Sequence, residues 1–243
     1  MQSLQSKTAL VTGGGRRIGR ELALALANAG ASVGITYRQS KAEAEGLIQQ
    51  ITSGGGKAHA IYCDLQKEAS IHAAVQEFQQ KFGGLDLLVN NAGAYETANF
   101  ADITSAQFDA MFSTNVRGPF LISQACAPGL RQRRGRIINI GSLGGIEPWA
   151  THAHYCASKA ALHMLTQAMA KSLAPEIGVN CVAPGMITFP ESEVTEQSRH
   201  FAEKTPMKRN GSAADVAAAV LFFATCPQFI TGQILVVDGG LGL

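Results

Sequence analysis

The stretch TALVTGGGRRIG, residues 8–19, decides the fold of this chain. An apolar run over residues 8–12 is followed by consecutive glycines and then by a helical pattern over residues 18–29. Glycines in such a turn let the backbone approach a pyrophosphate, and the helix N-terminus offers free N–H groups and the positive end of its dipole. The stretch therefore predicts a strand–turn–helix that binds a dinucleotide. A tight turn that binds no ligand is the alternative.

The same alternation of short apolar runs and longer helical patterns continues along the chain. Strands are predicted over residues 8–12, 32–37, 58–63, 85–90, 136–140, 179–183 and 233–237. Helices are predicted over residues 18–29, 41–51, 68–82, 108–130, 155–173 and 213–224. This rhythm is typical of a parallel sheet covered by helices on both faces. We therefore expect one α/β domain, residues 1–243, that is Rossmann-like and doubly wound around a seven-stranded parallel sheet.

Composition and charge exclude several classes of protein. The chain is 46% hydrophobic with a net charge of +2, and a nucleic-acid surface needs clustered basic residues. The one dense basic cluster is predicted to end a helix, where cations complement the dipole; it comprises Arg131, Arg133, Arg134 and Arg136. The five cysteines share no metal-like spacing, so we expect reduced thiols, no metal and a cytoplasmic location. Residues 1–7 lack the apolar core of a signal peptide, and no apolar run approaches the ~18 residues of a membrane span, so we expect neither.

Tyr155 and Lys159 are four residues apart, which places both on one face of a helix. A cation beside a phenol favours the phenolate and lowers the phenol pKa. Unit charges ~4 Å apart at an effective dielectric of ~20 interact by about 4 kcal/mol, or roughly three pKa units. The pair therefore predicts an acid–base tyrosine. A surface pair is the alternative, but Ser142, thirteen residues upstream, and the Gly-rich turn favour the catalytic interpretation.

The end of the second predicted strand indicates which dinucleotide binds. An NAD site usually carries an acidic residue about twenty residues beyond the glycines, for the ribose 2′-OH. Residues 36–40 read Thr-Tyr-Arg-Gln-Ser and contain no acid. Arg38, helped by Arg16 or Arg17, can pair with a 2′-phosphate through charge-assisted hydrogen bonds. We therefore expect NADP(H), with arginines that bind no ligand as the alternative.

Residues 184–206 form a long connection with three prolines, several charges and a weak helical pattern near residues 191–204. Such a connection after a strand often closes over a binding cleft, so we expect a substrate lid here rather than a merely variable loop.

Together, these pieces resemble the short-chain dehydrogenase/reductase family over nearly the whole chain. The matching segments are the Gly-rich turn, Asp64-Leu65, Asn90-Asn91-Ala92-Gly93, Asn115, Ile140-Gly141-Ser142, Tyr155-x-x-x-Lys159 and Pro184-Gly185. The resemblance implies an NADPH-dependent oxidoreductase that reduces a C=O or C=N group. It also implies a homotetramer that packs the two long helices into intersubunit bundles.

The resemblance further implies a role for each matching position. Tyr155 donates the proton, Ser142 polarises the substrate, Lys159 holds the nicotinamide ribose and Asn115 anchors a water. The cofactor-binding residues implied are Gly13, Gly15, Arg16, Arg17, Ile18, Gly19, Tyr37, Arg38, Ser40, Asp64, Leu65, Asn91, Ala92, Gly93, Tyr155, Lys159, Pro184, Gly185 and Ile187. The substrate-binding residues implied are Ser142, Tyr95 and Tyr155.

Two subfamilies share features with the chain. Pteridine reductases of this family also carry an arginine at the position of Arg17, and their counterpart of Tyr95 helps to sandwich a flat pterin. Residues 37–40 look similar too. However, those enzymes tend to carry Asp where this chain has Ser142, and serine is usual in 3-oxoacyl-carrier-protein reductases and general ketone reductases. Phe189 stands where the family usually has a threonine that contacts the cofactor amide. The substrate stays open between these classes.

Other interpretations are weaker. A serine hydrolase needs G-x-S-x-G around Ser142, but Ile140 occupies the first position. His152 and His154 lack a third metal ligand, so we expect surface histidines, and Cys156 is expected to pack as a small apolar residue. A non-catalytic NADP-binding regulatory protein would be expected to lose one of the catalytic residues, and all are present.

Overall fold

The computed structural model describes residues 3–190, 193 and 195–243. Seven parallel strands form one sheet in the order β3-β2-β1-β4-β5-β6-β7. The strands are β1 Thr8–Val11, β2 Ser32–Tyr37, β3 Ala58–Tyr62, β4 Leu87–Asn90, β5 Arg136–Ile140, β6 Gly178–Pro184 and β7 Ile234–Val237. The predicted seven-stranded parallel sheet is confirmed, and each strand lies within two residues of its predicted bounds.

Helices cover both faces of the sheet, as the sequence predicts. They are α1 Arg17–Asn28, α2 Lys41–Ser53, α3 Glu68–Phe82, α4 Ser105–Phe112, α5 Gly118–Arg133, α6 Ala153–Leu173, α7 Glu196–Lys204 and α8 Ala213–Thr225. One core cluster joins the sheet to α1, α2 and α8, and a second joins it to α3, α5 and α6. No helix in the described part of the chain combines the length and the apolar character needed to cross a membrane.

Close packing of α3 on the sheet depends on a glycine in β2. A Cβ on Gly34 would lie 2.5 Å from the Phe78 ring, so the aromatic side chain packs directly on the strand backbone. Phe78 is 1% exposed, and full burial of such a side chain contributes about 1.5–3 kcal/mol.

The predicted helix over residues 108–130 is wrong as a single element. Helix α4 begins earlier, at a capping box of Thr104 and Gln107. A short π-helix, Ser113–Arg117, then separates α4 from α5. Pro119 lacks the N–H that an α-helix would direct to the carbonyl of Asn115, which explains a break in the ladder that apolar periodicity does not reveal.

The predicted arginine cap is largely confirmed. Helix α5 ends at Arg133, with Arg131 in its last turn, and Arg134 adopts the left-handed conformation that ends the helix. Arg136 instead begins β5 and donates a hydrogen bond to the carbonyl oxygen of Cys226.

The predicted lid, residues 184–206, contains α7, which begins after the N-cap Thr195. Residues 191, 192 and 194 lie outside the described residues. Asn210 donates a hydrogen bond of 2.8 Å to the Ser198 carbonyl and so anchors α7 to the loop before α8.

Candidate active site

A cleft of about 1490 Å³ opens at the carboxyl ends of the strands. The strand order reverses between β1 and β4, and ligands of open α/β sheets bind at such a switch point. Residues that follow β2 and β3 line one side of the cleft, including Arg38 and Asp64. Residues that follow β5 and β6 line the other side, including Ser142 and Gly185.

The Gly-rich turn is held against the sheet by hydrogen bonds to its backbone. The N–H of Gly13, whose φ is +63°, donates to Thr36 Oγ1 at 3.1 Å. A Cβ on Gly19 would lie 2.3 Å from the Gly13 carbonyl oxygen, so α1 packs on the turn only because this residue is a glycine. The turn and the N-terminus of α1 face the cleft, and this arrangement fits a pyrophosphate.

Two threonines missed by the sequence analysis shape the same turn. Thr12 Oγ1 accepts hydrogen bonds from the N–H groups of Asn91 at 2.9 Å and Ala92 at 3.0 Å. Thr36 performs the corresponding task for Gly13. A threonine at the carboxyl end of a buried strand is the only sequence signal that could have identified them.

Arg17 occupies a backbone conformation that usually belongs to glycine. Its φ is +51°, which costs roughly 1–2 kcal/mol for a residue with a Cβ. Its guanidinium lies 5.6 Å from the ring centroid of Phe189, in the segment after β6. This cation–π contact joins the Gly-rich turn to the predicted lid.

The side chains beyond β2 form a basic rim. Arg38 is half-exposed, and its guanidinium lies 3.7 Å from the buried Asp64 carboxylate. Arg16 lies 3.9 Å from Glu43. Both arginines line the cleft and face acidic residues weakly, so their N–H groups remain accessible from the cleft.

Most of the predicted cofactor-binding residues line this cleft. Those that do so are Gly13, Arg16, Arg17, Ile18, Tyr37, Arg38, Ser40, Asp64, Leu65, Asn91, Ala92, Gly93, Tyr155, Lys159, Pro184, Gly185 and Ile187. Gly15 and Gly19 are not among the lining residues: a Cβ on Gly15 would contact Ser40 Oγ at 3.2 Å, and Gly19 packs on the Gly13 carbonyl.

Helix α6 brings Tyr155 and Lys159 to the same wall of the cleft. The Lys159 ammonium donates a 2.8 Å hydrogen bond to the Ile140 carbonyl oxygen and lies 5.9 Å from the Tyr155 ring centroid. Both side chains are buried apart from the atoms that reach the cleft. The prediction that Tyr155 and Lys159 lie on one face of a helix is therefore confirmed.

The prediction that the pKa of Tyr155 is lowered is wrong. Burial raises the Tyr155 pKa to about 12, and a hydrogen bond with the Ser142 side chain opposes that rise only in part. The reason is that the Lys159 ammonium is directed to a backbone carbonyl instead of the phenol oxygen. Burial also lowers the pKa of Lys159 to about 8. At neutral pH the tyrosine is thus a neutral phenol beside a cation.

Ser142 follows β5 in an extended conformation and is almost completely buried. Its Oγ accepts a 3.1 Å hydrogen bond from the Gly144 N–H. Its own backbone N–H donates to His163 Nε2 at 3.4 Å. A histidine therefore contacts the serine backbone and not its hydroxyl, and the geometry of a hydrolase dyad is absent from this described site.

Asn115 does not line the cleft. Its side-chain oxygen accepts from the Ala94 N–H at 2.7 Å, and its Nδ2 donates to the Ala94 carbonyl at 3.0 Å and to Ser158 Oγ at 3.0 Å. Ser158 in turn donates to the Tyr155 carbonyl at 2.7 Å. Asn115 thus connects the loop after β4 to α6, the helix that carries Tyr155.

Aromatic rings enclose the tyrosine hydroxyl end of the cleft. Tyr95 is 61% exposed, and its ring lies 5.0 Å from Tyr155 at an interplanar angle of 83°. Trp149 stacks on Tyr155 at 6.0 Å and 20°. Trp149 was not among the predicted site residues, although it is the only tryptophan in the chain and lies between Ser142 and Tyr155.

The expectation that His152 and His154 lie at the surface is wrong. They are 8% and 1% exposed, because the loop after β4 covers the start of α6. His152 Nε2 contacts Thr97 Oγ1 at 3.0 Å, and its ring is 5.0 Å from Tyr95. Within residues 3–190, 193 and 195–243, no cluster of three or more His, Cys, Asp or Glu side chains could hold a metal ion.

Comparison with known proteins gives consistent relatives. A family model described as enoyl-(acyl carrier protein) reductase matches residues 14–242. A 3-oxoacyl-[acyl-carrier-protein] reductase from Staphylococcus epidermidis is 36% identical over 241 residues, which cover 97% of this chain and 99% of that protein. A short-chain dehydrogenase/reductase from Serratia marcescens has 36% identity and a TM-score of 0.95, with 100% of both chains covered. A short-chain dehydrogenase from Burkholderia cenocepacia, solved with NADP, has 38% identity and a TM-score of 0.94, again over 100% of both chains.

These similarities extend over the whole chain and are not confined to one motif. The matched span begins inside the Gly-rich turn and includes Ser142, Tyr155 and Lys159. The sheet order and the position of the cleft agree with the sequence similarity. The chain therefore belongs to the short-chain dehydrogenase/reductase family of oxidoreductases.

Proposed function

We propose that this protein is an NADPH-dependent reductase of a flat, conjugated C=O or C=N compound of the pterin type. One observation carries the proposal: a single cleft joins the basic rim after β2 to a buried tyrosine and serine that are walled by aromatic rings. The rim offers charge for a phosphate, and the far end offers a proton beside a flat space.

The residues of the cleft fit NADPH. The Gly-rich turn and the N-terminus of α1 would hold the pyrophosphate, and Arg38 with Arg16 would hold the 2′-phosphate. Lys159 would hold the nicotinamide ribose. The NADP complex of the Burkholderia cenocepacia relative supports this assignment. When bound, NADPH supplies a hydride to the substrate.

The protein's own residues supply the proton and the electrostatics. Ser142 hydrogen-bonds to the substrate oxygen or nitrogen and polarises the double bond. Tyr155 donates its O–H proton to the same atom, and solvent later returns a proton to the phenolate. The Lys159 ammonium stabilises the negative charge that develops on the phenol oxygen during this transfer. The rings of Tyr95 and Trp149 pack beside Tyr155 and limit the space around its phenol.

Two substrate classes are supported by different observations. Tyr95 and Trp149 provide ring surfaces beside Tyr155, and Arg17 extends a cation toward the cleft; these features favour a flat heterocycle such as a dihydropterin. Ser142 and the 36% identity to a 3-oxoacyl-[acyl-carrier-protein] reductase favour a β-ketoacyl thioester as the second candidate.

We further propose a cytoplasmic homotetramer. All five cysteines are unpaired, which fits a reducing compartment. Met164 on α6 is 64% exposed and Phe120 on α5 is 43% exposed, so both helices offer apolar side chains to another subunit. Sedimentation should give four times the mass of the 25.6 kDa chain, and a monomer mass would contradict the proposal.

The reductase assignment is tested by following NADPH oxidation with dihydropterins, acetoacetyl thioesters, ketones and quinones. We expect turnover of at least one class, and Tyr155→Phe should lower it at least ~10²-fold, because the phenol is the proton donor. NADPH affinity should stay within about twofold, since the ring remains. NADPH binding without turnover of any substrate would instead favour a regulatory protein.

A matched pair of variants distinguishes the two substrate classes. Tyr95→Phe retains the ring and Tyr95→Ala removes it. If the substrate stacks on this ring, Tyr95→Ala should raise KM for the dihydropterin about tenfold while Tyr95→Phe changes it little. A preferred thioester substrate with no effect of Tyr95→Ala would contradict the pterin assignment.

Cofactor preference depends on Arg38. Arg38→Ala should raise the Kd for NADPH about 10- to 100-fold and leave that for NADH within about twofold, because only NADPH carries the 2′-phosphate. Fluorescence titration measures both constants. Arg117→Ala, which removes an exposed arginine outside the cleft, is the control. Equal losses for both cofactors would reject this role.

The pH profile of reduction should report Lys159. Its ammonium is present below a pKa of about 8 and is lost as pH rises through that value, whereas Tyr155, with a pKa of about 12, remains protonated. We therefore expect kcat/KM for NADPH to decline above pH 8. In Lys159→Arg, where the cation persists, the rate should be lower but free of this decline. A level wild-type profile to pH ~10 would contradict the assignment.

A further inference from the structure

His163 is a buried histidine to which the mechanism above assigns no task. It follows Tyr155 and Lys159 on α6 at the next interval of four residues, so all three face the end of β5. Only 5% of its surface is exposed, and it is not among the described residues that line the cleft. Any effect of His163 on the reaction therefore passes through another residue.

The contact of His163 is with the backbone of Ser142. The Ser142 N–H donates to His163 Nε2 at 3.4 Å, while the Ser142 hydroxyl is bound separately by the Gly144 N–H at 3.1 Å. Because Nε2 accepts here, the imidazole proton is assigned to Nδ1. The hydrogen bond fixes the peptide that carries the proposed substrate-polarising hydroxyl.

Two glycines show independently that the Ser142 loop is built around the imidazole. A Cβ on Gly141 would lie 2.2 Å from His163 Nε2, and a Cβ on Gly145 would lie 2.7 Å from His163 Cε1. Residues on both sides of Ser142 therefore leave room for this ring. An aliphatic side chain at position 163 could fill that space, but it could not accept the Ser142 N–H.

The surroundings keep the acceptor available. Burial, together with the Lys159 charge, lowers the His163 pKa to about 4, so Nε2 stays unprotonated at neutral pH. On the β6 side of the ring lies Cys181, whose Sγ would be 2.8 Å from a Cβ on Gly141. Burial raises the pKa of the Cys181 thiol to about 12, and the thiol is therefore neutral.

We propose that His163 is a positioning residue: by accepting the Ser142 N–H, its imidazole holds the Ser142 hydroxyl in line with Tyr155. The inference rests on the proposed function in that it assigns Ser142 a place in the reaction. It adds a residue that touches neither substrate nor cofactor, yet sets the orientation of one that does.

Three variants separate hydrogen bonding from packing. Gln places an amide oxygen near the position of Nε2, Asn has the same chemistry but cannot reach it, and Leu fills the space without an acceptor. We expect His163→Leu and His163→Asn to lower kcat about 10- to 100-fold, with KM and the Kd for NADPH within about threefold, and His163→Gln to recover most of kcat. Wild-type kcat in the Leu and Asn variants, or equal losses in all three, would overturn the proposal. His72→Leu, at an exposed histidine on α3, is the control.

Amide hydrogen exchange of the peptide over residues 141–146 gives a readout that needs no turnover. The Ser142 amide should exchange faster in the Leu and Asn variants than in wild type and the Gln variant, because the last two retain the acceptor. Equal exchange in all four proteins would overturn the inference even if the enzyme is active. Conversely, if the protein shows this exchange pattern but turns over no substrate, the proposed function is rejected while the hydrogen bond between Ser142 and His163 is supported.

Discussion

The ammonium of Lys159 lies buried between α6 and the end of β5, where it donates a hydrogen bond to the Ile140 carbonyl oxygen at 2.8 Å. A buried charge without a partner costs several kcal/mol, so this bond constrains how closely the helix and the strand approach. Ser142 follows Ile140 by two residues, and Tyr155 lies one helical turn before Lys159. A single electrostatic requirement therefore fixes the separation of the proposed proton donor from the proposed polarising hydroxyl. Burial also keeps the tyrosine neutral, whereas the lysine stays mostly charged at neutral pH because burial lowers its pKa only to about 8; this combination suits the proposed reduction.

The shape of the cleft depends on glycines, at which two segments of the chain come into close contact because no side chain separates them. Gly19 lets α1 reach the carbonyl of Gly13, and Gly141 lets the Ser142 loop approach His163. The first contact fixes the end of the cleft proposed to hold the phosphates, and the second fixes the end proposed for the chemistry. The short π-helix before α5 adds a third constraint, because it directs the Asn115 amide to the Ala94 backbone and to α6. Small residues and one irregular turn thus convert a regular α/β framework into an asymmetric site.

The framework was predictable because buried parallel strands read as short apolar runs, and β6, buried along its whole length, is the clearest case. Properties that depend on three-dimensional surroundings were not predictable. Pro119 is a sequence sign of the break in the predicted helix over residues 108–130, but apolar periodicity does not reveal the π-helix around Asn115. Likewise, the spacing of Tyr155 and Lys159 indicates a shared face but not which oxygen the ammonium meets, and the phenol pKa rises where a fall was expected. His154 was predicted at the surface because local sequence cannot reveal the loop that covers it.

Arg17 shows why a departure from the usual glycine is informative. A glycine would adopt its positive φ without strain, whereas arginine pays roughly 1–2 kcal/mol there. That cost persists only if the side chain makes compensating contacts, and its guanidinium lies over the ring of Phe189 in the segment after β6. At position 189 of the same segment the family resemblance implies a threonine, and this chain has Phe189. The two departures therefore meet in one contact: a cation and a ring join the Gly-rich turn to the segment after β6. Because the arginine also lines the cleft, this contact joins the segment after β6 to the turn proposed to hold the pyrophosphate.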